Sequence, residues 1–176
     1  TDIAGVVHAG RREEMDPYKA RYAVDTDTEH RTLADALEGA DVFLGLSAGG
    51  VLKADWLPKM AERPLILALA NPNPEILPDQ ARAARPDAIL ATGRTDFPNQ
   101  VNNVLCFPFL FRGALDCGAT EINEAMKRAC VEALADLARA QPSDIVREAY
   151  GGLQLRFGPD YLIPKPFDPR LMEHVA

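Results

Sequence analysis

The sequence is poor in residues that form cross-links or bind soft metals, with three cysteines and three histidines in 176 residues. The cysteines show neither a C-x-x-C motif nor zinc-like spacing, at Cys106, Cys117 and Cys130. We predict that they are reduced, mostly buried thiols of a cytosolic protein. The histidines are expected on the surface and are too scattered to predict a metal cluster, at His8, His30 and His174. Carboxylate ligands for a metal remain open.

The chain also lacks an excess of positive charge and long apolar runs. Its formal net charge of -7 argues against nucleic acid or an anionic membrane as the main partner. The longest apolar stretches, such as 65–70 and 104–110, are too short to cross a bilayer, and we expect no signal peptide. We therefore expect a cytoplasmic protein with no membrane or nucleic-acid partner.

Several motifs of catalysis and nucleotide binding are missing from the sequence. It contains no G-x-G-x-x-G loop and no Walker lysine, and no Ser/His/Asp or Cys/His arrangement stands out. It shows neither an obvious general base nor a carboxylate cluster that would clearly hold a divalent ion. Any chemistry is therefore expected to be only partly represented in these residues.

What is present is the pattern of one soluble α/β domain over residues 1–176, with an apolar fraction of 47% and a charged fraction of 26%. Three nearly continuous apolar runs, at 41–47, 65–71 and 88–93, predict parallel strands covered on both faces. Short helices are predicted between them, each ending near a proline. Strand and helix alternation indicates a doubly wound parallel sheet.

Two further helices and a strap complete this prediction. Thr32 is a possible N-cap of a helix that ends near Gly39. Thr120 is the predicted N-cap of a long C-terminal helix, whose core face is given by the apolar spacing of Ile122, Met126, Cys130, Ala133 and Leu137. The proline-rich and aromatic tail is expected to run as an extended strap.

The beginning of the chain resembles the end of a strand, with an acidic residue at Asp2. In dinucleotide-binding folds an acidic residue follows the glycine-rich phosphate loop by about 20 residues and binds the ribose hydroxyls. If Asp2 is that residue, the first strand, the phosphate loop and the first helix are absent, and we expect a fragment. Arg11, Arg12 and Lys19 could meet a 2'-phosphate, but a solvated mixed-charge face is favoured for them.

Polar residues follow the first two predicted strands. Asn71 comes at the end of the second strand, where ligands of parallel sheets lie, although a local Asx-turn is the simpler interpretation for this residue alone. Ser47, Gly49 and Gly50 follow the first strand and would allow a ligand to approach the backbone closely. A plain tight turn is about equally expected there.

An unusual group of amides follows the third strand: Asn99, Gln100, Asn102 and Asn103. Local structure needs one capping amide, so at least two are surplus and suit a wall that binds a carboxylate or a nicotinamide. Asn102 and Asn103 precede an apolar run and could lie near a helix N-terminus, which favours an anion. Arg94 and Asp96 are predicted to form a local ion pair.

Three segments together resemble the malic enzyme family, especially its bacterial members: "LALANPNPEI", "PDAILATGRTDFPNQVNNVLCFPFLFRGALD" and "IPKPFDPRL". The resemblance extends over essentially the whole chain. It implies the nucleotide-binding domain of a malic enzyme of the long bacterial type with a phosphotransacetylase-like fusion, truncated at both ends. The implied fold is a Rossmann-like doubly wound parallel sheet, incomplete at its N-terminus.

The resemblance also implies site residues. Asn71 would bind both cofactor and substrate, Asn103 would bind the substrate, and Asn102 would contact nicotinamide. Asp2 and Ser47 would serve the adenosine half of the cofactor. The family's catalytic tyrosine and lysine, its metal-binding acids and its glycine-rich loop would lie upstream, so no catalytic or metal-binding residue is assigned within this chain.

The implied activity of the intact enzyme is the oxidative decarboxylation of malate to pyruvate with NADP or NAD and a divalent cation, Mg or Mn. This chain alone is expected to be inactive. The choice between NAD and NADP stays open, because Asp2 favours a free ribose hydroxyl while the nearby arginines favour a phosphate. An unpaired sheet edge favours a homo-oligomer. The alternative hypothesis is a non-catalytic α/β module for oligomerisation or effector binding.

Overall fold

The computed structural model describes residues 1–25, 32–152 and 155–176. His30 lies outside these residues, so its expected surface position is not addressed. The chain divides into two compact units, Thr1–Ala88 and Ile89–Ala176. The first unit carries two strands and the second begins with a third strand.

The described residues contain three short parallel strands, Val42–Gly45 (β1) and Leu65–Ala68 (β2) in the first unit and Ile89–Thr92 (β3) in the second. β1 and β2 pair in parallel from Val42 opposite Leu65 to Gly45 opposite Ala68. Three parallel strands joined by helices confirm the predicted fold class.

The expectation that every strand is covered on both faces is wrong for β1. Phe43 is buried, but Val42 and Leu44 on the opposite face are 53% and 57% exposed. An apolar run indicates the capacity for burial on both faces, and in this chain no described element covers the second face of β1. The sequence pattern does not show which segments pack on each face of a strand.

The first unit also contains four short helical elements: Pro17–Ala20 (α1), Leu33–Ala36 (α2), a 3-10 helix at Ala54–Lys59 that contains Trp56, and Pro78–Ala84 (α3). α1 and α2 precede β1, the 3-10 helix connects β1 to β2, and α3 follows β2. The predicted cap at Thr32 is confirmed. Its hydroxyl accepts a hydrogen bond from the Asp35 amide at 3.3 Å, and the Asp35 carboxylate accepts one from the Thr32 amide at 2.9 Å. Gly39, with φ of +69°, follows this helix as expected.

The second unit is mainly helical, with a 3-10 helix at Asn103–Leu105 followed by Phe107–Asp116 (α4), Glu124–Arg139 (α5), Asp144–Ala149 (α6) and Arg170–Val175 (α7). One apolar cluster joins α5, α7 and the 3-10 helix through Leu105, Cys130, Leu137, Leu171 and Val175, and α4 packs against it through the partly buried Phe109 and Leu110. The predicted core stripe is buried at Cys130 and Leu137 and half-buried at Met126 and Ala133, whereas Ile122 lies before the start of α5. No helix in the described part of the chain is both long and apolar enough to cross a membrane.

Two predictions for the second unit need correction. The N-cap of α5 is Asn123 and not Thr120, because the Asn123 Oδ1 accepts the Met126 amide at 3.0 Å. Threonine and asparagine cap helices comparably well, so composition could not choose between them. The tail is also not extended throughout, since residues 170–175 form α7 directly after Pro169. Proline is compatible with a helix start, where no amide donor is required.

The thiols are free, as predicted, but they are not mostly buried. Cys130 is buried in the cluster, Cys106 is half-buried, and Cys117 is exposed at the end of α4. A helix terminus faces solvent even when the helix body packs against a core, which explains the difference.

Leu171→Ala should lower the free energy of unfolding by about 2–5 kcal/mol, because Leu171 is fully buried and truncation would leave a cavity. Met172→Ala, next to it in α7 and 49% exposed, is the matched control and should change stability much less. Urea denaturation followed by circular dichroism measures both. Equal effects of the two substitutions would contradict the assigned packing of α7.

Candidate functional site

A buried carboxylate connects the loops that follow β1 and β2. Glu75 has no solvent exposure, and its Oε1 accepts hydrogen bonds from the Ser47 amide at 2.8 Å and the Ser47 hydroxyl at 3.3 Å. Its Oε2 accepts from the Ala70 amide at 3.0 Å. A buried carboxylate needs such donors to offset its loss of hydration. Glu75 therefore fixes the carboxyl ends of two neighbouring strands against each other.

Glycines make room for this arrangement. A Cβ on Gly45 would lie 2.4 Å from the Glu75 carboxyl carbon, and one on Gly49 would lie 2.8 Å from the Asn73 Cβ. Gly50 has φ of +76° and donates its amide to the Pro74 carbonyl at 3.1 Å. The glycines after β1 thus permit close approach of the neighbouring loop, which favours the tight-turn interpretation of this segment.

Asn71 is exposed in the loop after β2, next to a cis peptide bond with Pro72. Among the residues that the structure describes, none forms a hydrogen bond with its side-chain amide, so the local Asx-turn is not observed. Ser47 is exposed as well, with its amide and hydroxyl both directed to Glu75. The two predicted residues therefore lie on adjacent loops, and the Asn71 amide is the one available to a ligand.

Asp2 lies in an ionic cluster near the start of the chain. Its Oδ2 is 2.6 Å from an Arg11 guanidinium nitrogen and 2.8 Å from the Lys19 ammonium. Hydrogen bonds from Arg11 and then from Lys19 hold the pKa of the Asp2 carboxyl well below its usual range. The expectation of a solvated mixed-charge face is wrong for Arg11, whose side chain is 6% exposed and also donates to the Gly5 carbonyl at 3.2 Å.

The amide segment after β3 divides into structural and available side chains. Asn99 is buried with φ of +56°, and its Nδ2 donates to the Leu90 carbonyl at 2.8 Å and the Pro159 carbonyl at 2.6 Å. Its Oδ1 accepts from the Leu162 amide at 2.7 Å. Asn99 therefore joins the end of β3 to the C-terminal segment, and all of its polar atoms serve the fold.

The neighbouring amides are used less completely. The Asn102 Oδ1 accepts the Val104 amide at 3.0 Å and caps the 3-10 helix, which confirms its expected place at a helix start. The Asn102 Nδ2 and the whole Asn103 amide have no partner among residues 1–25, 32–152 and 155–176. Both residues are exposed. Donors are therefore available beside a short helical start, as a carboxylate or carboxamide site requires.

The predicted ion pair of Arg94 with Asp96 is confirmed, with two hydrogen bonds of 2.8 and 2.6 Å. Arg94 also stacks on the Phe97 ring at 5.5 Å. This pair shapes the loop between β3 and the amide segment. Within the described ranges, no group of three or more His, Cys, Asp or Glu residues is arranged to hold a metal ion.

Ser47 and Asn71 are brought together in the first unit through Glu75, while Asp2 belongs to a separate ionic cluster of that unit. Asn102 and Asn103 lie side by side in the second unit. That all these side chains share one cleft stays a prediction. The role of Glu75 was missed from the sequence, although an acidic residue between Pro74 and the apolar Ile76 is an unusual enough signal to have suggested burial.

Parallel strands with polar loops at their carboxyl ends define a Rossmann-like nucleotide-binding domain. A family model described as "Malic enzyme, NAD binding domain" matches residues 1–147. The chain belongs to this family. The resemblance seen in the sequence motifs is thereby confirmed.

The curated relatives include proteins that use either nicotinamide cofactor. The chain is 64% identical to an NAD-dependent malic enzyme of Rhizobium meliloti (strain 1021) and 60% identical to an NADP-dependent malic enzyme of Escherichia coli (strain K12). Both matches cover 99% of this chain, and 22% and 23% of the respective relatives. The chain thus spans about a fifth of the length of these curated relatives.

Solved structures show the same fold. A crystal structure of the NAD-dependent malic enzyme from Thermotoga maritima matches with a TM-score of 0.79 and 38% identity, over 97% of this chain and 41% of that chain. The malic enzyme of Entamoeba histolytica matches with a TM-score of 0.78 and 36% identity, over 97% of this chain and 34% of that chain.

Glu75→Gln should lower the free energy of unfolding by about 1–3 kcal/mol, because the new NH2 group would replace one accepting oxygen. It would then face the backbone N–H of either Ser47 or Ala70, and neither group can accept a hydrogen bond from the other. Glu38→Gln, an exposed change of the same kind, should have little effect. Urea titrations of both variants at pH 7 make the comparison. If the two are equally stable, the buried carboxylate does not join the loops.

The stabilisation from Asp2 should depend on pH. Its pKa is lowered in the folded state, so the contribution is complete above the unfolded value of about 3.9 and is lost as the pH falls below it. The stability difference between wild type and Asp2→Asn should therefore be largest near pH 7 and shrink below about pH 4. Asp41→Asn, at an exposed carboxyl, supplies the control. A difference that is constant with pH would contradict the ionic cluster.

Proposed function

We propose that this chain is the nucleotide-binding part of a longer malic enzyme, similar in length to its curated relatives. The longer enzyme would convert malate and NAD(P)+ to pyruvate, CO2 and NAD(P)H. The observation that carries this proposal is the presence of unpaired side-chain amides in loops after the strands of a malic enzyme NAD-binding domain, at Asn71 and Asn103. No residue that the structure describes forms a hydrogen bond with these side-chain amides, so a ligand accounts for them better than folding does.

The available groups suit a nicotinamide cofactor beside a small dicarboxylate. Asn71 and Asn103 can donate to a malate carboxylate, and the free Nδ2 of Asn102 can donate to the nicotinamide side. Asp2 and Ser47 are assigned to the adenosine half. The cofactor, when bound, supplies the hydride acceptor for oxidation at malate C2.

We assign the remaining chemistry to segments of the longer enzyme outside this chain. We assign the divalent cation, Mg or Mn, and the proton-transferring residues to other segments of the longer enzyme. This chain's own contribution is to bind and orient, because its amides are neutral and neither donate nor remove a proton near pH 7. By itself the chain is expected to be inactive.

The preference between NAD and NADP is left open by the charges near Asp2. Its carboxylate can accept from a ribose hydroxyl, whereas Arg11 and Lys19, which it binds, could instead serve a 2'-phosphate. The long bacterial form with a phosphotransacetylase-like fusion, the homo-oligomer and the cytoplasmic location are proposed on the family resemblance. The exposed apolar face of β1 supports an oligomer or a covering segment.

Asn103→Ala in the longer enzyme should raise the malate KM or lower kcat by at least about tenfold, because the substrate carboxylate would lose a donor. Its melting temperature should stay close to that of the wild type, since the side chain is exposed and unpaired. Steady-state kinetics with varied malate and thermal melting provide the two readouts.

Asn99→Ala is the matched control. It removes three hydrogen bonds within the fold and should lower stability. Unchanged kinetics in Asn103→Ala would remove the substrate assignment. A wild-type enzyme without malate oxidation would favour the non-catalytic module instead.

A further inference from the structure

Gln100 is a buried side chain whose amide makes no hydrogen bond with any residue that the structure describes. The residue is 7% exposed and lies between the structural Asn99 and the exposed Asn102. Tyr161 Oη is the fully enclosed side-chain polar atom without a partner among the described residues, so Oε1 and Nε2 of Gln100 both keep some access to solvent although the residue is buried. The Gln100 amide therefore remains accessible to a small group.

The position of Gln100 is fixed by backbone pairing with the end of β3. Thr92 and Gln100 form a parallel bridge, in which the Thr92 amide donates to the Asn99 carbonyl at 3.3 Å and the Val101 amide donates to the Thr92 carbonyl at 2.8 Å. Bridged residues project to the same face of a sheet, and Thr92 is 2% exposed. Gln100 is thus held on the covered face at the carboxyl end of a strand, where ligands of such sheets bind.

The chemistry of an unpaired glutamine restricts what it can bind well. Its Oε1 accepts and its Nε2 donates, so a complete partner offers one donor and one acceptor side by side. A carboxylate would use Nε2 and leave the Oε1 of the buried Gln100 facing negative charge, whereas an exposed amide such as that of Asn103 can turn its oxygen to water. A carboxamide satisfies both atoms. The pyridine carboxamide of a nicotinamide cofactor has this pattern.

We propose that Gln100 binds the carboxamide of the nicotinamide ring through paired hydrogen bonds. The inference rests on the proposed function. It assigns to Gln100 a role distinct from that of Asn103, whose exposed amide is proposed to bind the substrate carboxylate. The free Nδ2 of Asn102 can supply a second donor to the same carboxamide oxygen.

The test compares the natural dinucleotide with its 3-acetylpyridine analogue, which keeps the carbonyl oxygen and lacks the amino group. In the longer enzyme, Gln100→Met preserves side-chain volume and removes both hydrogen-bonding atoms. It should weaken binding of the natural cofactor by about threefold to tenfold and reduce the preference for it over the analogue. The malate KM should change by less than about twofold.

Gln100→Glu should have the opposite effect on preference. Its carboxylate still accepts a hydrogen bond from the amino group of the natural cofactor but repels the carbonyl oxygen of either dinucleotide. The analogue has no amino group to offset this repulsion, so it should lose more affinity than the natural cofactor. This variant also keeps the test decisive if Gln100→Met fails to fold. Gln80→Met, at an exposed position of α3, is the matched control and should leave both dissociation constants unchanged.

Fluorescence titration of reduced cofactor and analogue gives the dissociation constants without turnover. An unchanged preference in both Gln100 variants overturns the inference, as does a change confined to the malate KM. If the wild-type enzyme binds dinucleotide and oxidises malate while the Gln100 variants behave like Gln80→Met, the inference alone fails. If the wild type does neither, the proposed function fails with it.

Discussion

The backbone amides that parallel strands leave unpaired at their carboxyl ends dictate the arrangement of the first unit. At the ends of β1 and β2 the amides of Ser47 and Ala70 both point to one carboxylate, Glu75. Burying a charge is costly, but two main-chain donors and a hydroxyl offset much of that cost. This contact explains the glycine at position 45, because a side chain there would occupy the space of the Glu75 carboxylate. The loops that we propose to face a ligand are thus held together by a buried polar contact, that of Glu75.

The amide segment of the second unit shows how identical side chains take different roles. Asn99 adopts a positive φ, turns its amide inward and bonds to three backbone groups. Asn102 caps the 3-10 helix with its Oδ1, while its Nδ2 has no partner among the described residues. Asn103 uses neither atom in the described residues. The backbone conformation at one position therefore separates an amide that holds the fold from amides that are free to bind.

The sequence supports much of this architecture, and its limits have physical reasons. Nearly continuous apolar runs predict the three parallel strands, and Thr32 predicts a capped helix, because these signals are local. The bonds of Glu75 are not local: Ser47 precedes it by 28 positions, and its donors are main-chain amides that no residue type reveals. The choice of Asn123 over Thr120 as a cap, and of Asn99 over Asn103 as a structural amide, likewise depends on backbone angles that composition does not encode.

The single tryptophan of the chain, Trp56, lies in the 3-10 helix of the first unit, whereas the longer helices α4 and α5 belong to the second. Indole emission will accordingly follow the melting of one unit, and far-ultraviolet ellipticity will be dominated by the other. Superposition of the two optical curves would mean that both units lose structure in one cooperative event. Separate midpoints would mean that each has its own stability, so a single melting temperature would describe neither.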